Sequence, residues 1–185
     1  MIDNYRIACT LKALHVDAMR SVQDKRYIEA INLFKKALKI EETLKVYQEA
    51  CKTLINIANV YYMMGHYAQA LETLKCAESK FKDDCDSDTT YNLQSMNGLL
   101  HLLLKHYPKS VSYYEKCLRL TVDQTKKAKA QYQLACVYYK MNNIGFALEH
   151  ANAARLIFSR IKNSSGKRDS EVLLRKVKEV NCFDL

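Results

Sequence analysis

The sequence predicts an all-α solenoid of four tandem helical hairpins, closed by one further helix. Three observations predict it. A short pattern recurs four times at a nearly constant interval, and apolar residues within each copy return every three or four positions. The 185 residues also include only four glycines and one proline, which leaves little room for strands and turns and favours long helices with tight connections.

The recurring pattern follows a short polar break. Its copies are Tyr27-Ile28-Glu29-Ala30-Ile31, Tyr67-Ala68-Gln69-Ala70-Leu71, Tyr107-Pro108-Lys109-Ser110-Val111 and Ile144-Gly145-Phe146-Ala147-Leu148. The small residues Ala30, Ala70, Ser110 and Ala147 stand 40, 40 and 37 positions apart. Each copy continues with a pair on the same helix face: Phe34 and Ala37, Leu74 and Ala77, Tyr114 and Cys117, Ala151 and Ala154. Before each break lies another apolar helix pattern, clearest in Leu54-Ile57-Ala58-Tyr61 and repeated in Leu134-Ala135-Tyr138. Each unit therefore reads as helix–turn–helix, and neither helix can hide its apolar stripe alone.

The second copy carries Leu54, Ile57, Ala58, Tyr61, Gly65, Tyr67, Ala70, Leu74 and Ala77 at the spacing of a tetratricopeptide repeat, and so resembles that family closely. The fourth copy matches with Asn142-Asn143 in place of the turn glycine. The third keeps Gly98 at the small position and starts its second helix at Pro108, where proline fits. The first is the least regular, with Ala18 at the small position but Asp17 and Ser21 for the apolar pair. A period near 40 exceeds the ordinary ~34 and is similar to the extended repeats of kinesin light chains, Pins-type adaptors and bacterial peptide-pheromone receptors. The resemblance covers about residues 11–161 and implies a right-handed superhelix. Hairpins fall at about 3–42, 43–82, 88–121 and 123–161. A polar, basic stretch, 162–169, reads as a flexible linker. Ser170 then caps a last helix, 170–181, with Leu173, Val177 and Val180 on the face that closes the solenoid or folds back on its groove.

The resemblance further implies that the first helix of each hairpin lines a concave groove. Its inward residues are Lys12, His15, Met19 and Val22; Lys52, Ile55, Asn59 and Tyr62; Asn92, Ser95, Leu99 and Leu102; and Lys129, Tyr132, Cys136 and Tyr139. Asn59 occupies the place where extended repeats carry an asparagine that pairs with a bound peptide's backbone, an amide being both donor and acceptor. Met19, Leu99 and Cys136 hold the equivalent places, so a full asparagine ladder is absent. The two-carboxylate clamp of chaperone-binding relatives would need a basic residue at Ile55, asparagine at Met96 and arginine at Gln133, and has none of them. The expected function is a non-enzymatic adaptor that holds a peptide or helix of another protein, partly apolar and partly acidic.

Other readings are weaker. The sequence has no phosphate-cradling glycine loop, nucleophile elbow or HExxH, so neither an enzyme nor a cofactor is expected. His101 and His106 lie five apart, a spacing that does not place two ligands on one helix face, and no metal is expected. The acidic run Asp83–Asp88 lacks the glycine and distal glutamate of a calcium loop and reads as a connector in which Asp86 or Asp88 caps the next helix. Seven cysteines, an odd number without a CxxC, suit a reducing cytoplasm, most of them as small hydrophobes on helix faces. The net charge of +9 sits entirely in residues 105–185, with 16 Lys/Arg against 7 Asp/Glu. Arg155, Arg160, Lys162, Lys167, Arg168, Arg175, Lys176 and Lys178 make RNA or DNA the alternative ligand. A homo-oligomer is a third possibility, because the open end of a solenoid can stack on its own copy.

Overall fold

The computed structural model describes residues 2–183, and among these the chain is all-α, with no strand. The helices are α1 (Ile2–Gln23), α2 (Tyr27–Thr43), α3 (Tyr47–Met63), α4 (Tyr67–Phe81), α5 (Ser87–Leu103), α6 (Tyr107–Leu120), α7 (Gln124–Lys140), α8 (Ile144–Arg160) and α9 (Ser164–Phe183). A short 3-10 turn, Lys82–Asp84, precedes α5. The chain divides into two compact units, Met1–Leu93 and Gln94–Leu185, with the division inside α5. No described helix is long and apolar enough to cross a membrane.

The second helix of every hairpin buries one stripe built to a common plan. It runs Ala30, Phe34, Ala37, Glu41 in α2 and Ala70, Leu74, Ala77, Phe81 in α4. In α6 it is Ser110, Tyr114, Cys117, continued by Thr121, and in α8 it is Ala147, Ala151, Ala154, Phe158. The alanines have no exposed surface, so the backbones approach closely and the larger residue between them fills the remaining space. In α6 the serine at the small position is satisfied, its hydroxyl donating to the Gly98 carbonyl at 2.8 Å. Gly98 is fixed by a separate contact, since a Cβ there would lie 2.9 Å from the Tyr114 ring.

Six helix ends share one turn. A single residue takes a left-handed conformation: Lys25 (φ 59°), Lys45 (57°), Gly65 (77°), Lys105 (60°), Asn142 (56°) and Lys162 (56°). The next amide returns to a carbonyl five residues back, as in Arg26 to Ser21 (2.8 Å), His66 to Tyr61 (2.9 Å) and Asn163 to Phe158 (2.9 Å). Two orphan carbonyls are satisfied this way at each end, and the following helix begins one residue later. Only Gly65 adopts this geometry without side-chain cost.

The C-terminal segment differs from its expected form. Residues 164–169 are not a linker but the opening turns of α9, and only Ile161, Lys162 and Asn163 lie between the helices. The Lys162 turn reverses the chain, and Asn163 Oδ1 accepts the Gly166 amide at 2.9 Å, capping the new helix. Gly166 is a packing residue: an added Cβ would sit 2.6 Å from the Phe158 ring. Ser170 is no cap; it is buried, with its hydroxyl donating to the Gly166 carbonyl at 2.8 Å. Leu173, Leu174 and Val177 pack with Ala135, Ala147 and Ala151 of α7 and α8. The Val180 and Cys182 side chains lie outside the described residues.

Candidate interaction surface

On α3, Lys52, Asn59 and Tyr62 stand seven and three positions apart, on one side of the helix. Asn59 is exposed; Tyr62 is half-buried, its ring 6.0 Å from that of Tyr67. Lys52 donates to Glu49 Oε1 at 2.9 Å, an ion pair that raises its pKa. Ile55, expected between them, is buried at 7% exposure and serves the core. The reason is that α3 packs against α2 on one side and α4 on the other, so its apolar surface extends well beyond a single stripe. On α1, Lys12 and Met19 are exposed and Val22 is half-buried. His15 is held inward: its Nε2 lies 2.8 Å from Glu41 Oε1 and its ring 5.9 Å from Phe34. The Glu41 hydrogen bond raises the His15 pKa, against the opposing effect of burial.

The later candidates are placed differently. Asn92 is exposed on α5, while Ser95, Leu99 and Leu102 are half-buried. Lys129 is exposed on α7. Tyr132, Cys136 and Tyr139 instead pack against the cluster that contains Leu173, Leu174 and Val177, so α9 covers part of the α7 face that was expected to be open. Burial pushes the Tyr132 hydroxyl up to about 12. Among the basic residues, Arg160, Lys162, Arg168, Arg175 and Lys176 are exposed and Arg155 is half-buried. Lys167 lies 3.9 Å from Glu171.

His101 and His106 come together despite their spacing, with Nδ1 atoms 3.3 Å apart. The left-handed Lys105 turns the chain back on itself, so a gap of five measured along a continuous helix does not apply. His101 also stacks on Tyr113 at 5.3 Å. No group of three or more potential metal ligands occurs among the described residues. Burial raises the pKa of Cys51, Cys85, Cys117 and Cys136, leaving these thiols poor nucleophiles at neutral pH. The acidic run resolves as expected: Asp86 caps α5, accepting the Thr89 amide at 2.7 Å, and also accepts from the Gln48 side chain at 2.7 Å.

Sequence reading missed Glu41. It is 1% exposed, with Oε1 against His15 and no partner for Oε2. The signal was present in the repeat itself, because the corresponding places hold Phe81, Thr121 and Phe158.

Residues 21–83 match the family model for the tetratricopeptide repeat. No curated protein matches the chain. Among solved structures, the apo form of RapI superposes with a TM-score of 0.82 at 16% identity over 92% of this chain. This chain spans 64% of that one. A putative kinesin light chain with nearly identical TPR-like repeats, from Podosopora anserina, gives 0.77 at 18% identity, covering 92% of this chain and 86% of that. BtubC from P. vanneervenii gives 0.78 at 14% identity, covering 97% and 83%. At these identities the likeness is one of fold.

Proposed function

We propose that this chain, whose residues 21–83 match the tetratricopeptide-repeat model, is a non-catalytic interaction module whose α3 face, together with exposed residues of α1, holds a segment of a partner protein. The observation that carries this reading is the exposed Asn59 beside the half-buried ring of Tyr62. An amide can pair with a partner's main chain whatever its side chains, and an aromatic ring offers apolar contact at little entropic cost. Lys12 and Lys52 favour a segment that carries acidic residues as well as apolar ones. A photoreactive amino acid at position 59 should cross-link a partner in cell extract that the same group at the exposed Lys75 does not. Asn59→Ala with Tyr62→Ala should weaken that partner's binding at least tenfold. Unchanged affinity would remove the assignment.

A second reading rests on the second unit. Its described face carries exposed Arg160, Lys162, Arg168, Arg175 and Lys176, and α9 holds the last three in one rigid helix. If this face binds RNA, affinity should fall linearly with salt on a log–log scale, and Arg168→Ala with Arg175→Ala should lower the slope by about 1–2. A flat salt response would discard the reading.

A further inference from the structure

We propose that the first unit contains a pocket for a lysine side chain, with Glu41 as the group that receives its ammonium. This goes beyond the α3-face reading and does not depend on Asn59.

The pocket is a cavity of about 520 Å³ between the first half of α1, the end of α2 and the start of α3. Its walls are Ile7, Ala8, Leu11, Leu44 and Val46, and its polar groups are His15, Glu41 and Glu49. That size lies within the ordinary range for a ligand site, as does the combination of apolar walls with a few polar groups.

Glu41 is a costly choice at this place even with His15 as its partner. It lies in the last turn of α2, where the helix dipole disfavours negative charge. Its carboxylate is almost wholly buried, with one oxygen on His15 and the other unpartnered. Burying an unpaired polar atom is costly, and a residue that bears this cost needs an explanation. The repeat shows what a purely structural choice looks like. At the equivalent place Phe81 stacks on Tyr47 at 5.7 Å, Phe158 fills a buried cluster with Ala128 and Ala154, and the third hairpin has the small, uncharged Thr121. In the first hairpin the aromatic plug is missing, and the cavity is lined by the carboxylate that replaces it.

The lining selects the ligand. Apolar walls suit an aliphatic stem, and a buried acceptor suits a cation at its tip. The cavity is lined by two carboxyl side chains and no basic one but His15, and Glu49 is held by Lys52 at the α3 edge. Because Oε1 is committed to His15, Glu41 offers one oxygen. One oxygen suits the compact ammonium of lysine, whereas the planar guanidinium of arginine gains its advantage from two parallel bonds. The occupant is therefore a lysine of a partner protein, inserted between α1 and α3.

The test is an NMR titration of the full chain, at low ionic strength, with N-acetyl-lysine methylamide and its norleucine and arginine counterparts. The lysine compound should shift His15 and Leu44 resonances and bind at least tenfold tighter than norleucine, with arginine weaker than lysine. Glu41→Gln should reduce lysine binding to the norleucine level, while Asn59→Ala leaves it unchanged. Glu41→Phe should restore the plug, raise the melting temperature and abolish binding of all three compounds. Equal binding of lysine and norleucine, retention of the preference in Glu41→Gln, or a lower melting temperature in Glu41→Phe would overturn the pocket. Arginine binding tighter than lysine would overturn the choice of ligand. Loss of lysine binding in Asn59→Ala would move the site to the α3 face and overturn its independence from that reading.

Discussion

Replacing the four left-handed lysines, Lys25, Lys45, Lys105 and Lys162, with glycine is expected to stabilise the protein by about 2–4 kcal/mol in total. A side chain in the left-handed region costs roughly 1–2 kcal/mol, of which part returns as the greater freedom of glycine in the unfolded chain, leaving about 0.5–1 kcal/mol per site. The sites are well separated in sequence and share no partners, so their effects should add. Thermal and urea unfolding of the quadruple variant would check this, with a rise of about 5–12 °C in the melting temperature. Gly65→Ala should act in the opposite sense by about 1 kcal/mol, because Gly65 already has φ 77°. A quadruple variant no more stable than the parent would mean that these lysines are held by contacts stronger than their backbone strain.

The second large effect concerns the seat of α9. Gly166→Ala should destabilise the second unit by about 1–3 kcal/mol, since the new methyl group would lie 2.6 Å from the Phe158 ring, which is itself only 4% exposed. Either α9 lifts from α8 or the ring leaves its rotamer. Amide hydrogen exchange across 170–179 should therefore rise in the variant. Shortening the obstacle, with Phe158→Leu in the same chain, should recover part of the loss. Gly145→Ala provides the contrast. A Cβ there meets nothing within 4 Å, so the same chemical change should stabilise α8 by about 0.4–1 kcal/mol. If both alanine variants behaved alike, close approach would not be what holds α9 in place.

The two glycines show why the fold was largely legible in the sequence and the site less so. The hairpins could be read because each stripe repeats, and Ala30, Ala70 and Ala147 stand where close packing requires them. Gly98 and Gly65 also declared their roles through their place in the repeat. Gly166 did not: among serines and lysines it reads as a flexible residue, and only the Phe158 ring above it shows otherwise. The lysine turns were equally silent, because no local propensity favours lysine at a positive φ. For the candidate surface, a helix face predicts direction but not what covers it. Direction placed Asn59 and Lys129 in the open, yet Tyr132 and Tyr139 pack against the cluster that α9 completes, and Ile55 turned inward. Glu41 escaped because a charged residue near a helix end looks like solvent-facing decoration until its surroundings are known.

The common turn carries a wider consequence. Helix starts at Tyr27, Tyr47, Tyr67, Ser87 and Tyr107 fall 20 residues apart, and Gln124, Ile144 and Ser164 resume the same interval after one shorter step. Where the same backbone turn recurs at six places with different side chains, its main-chain bonds end one helix and lead into the next. A gene segment encoding two such intervals is thus a transferable part. Copying or deleting it leaves every remaining joint chemically intact, and the chain can change length without inventing a new connection.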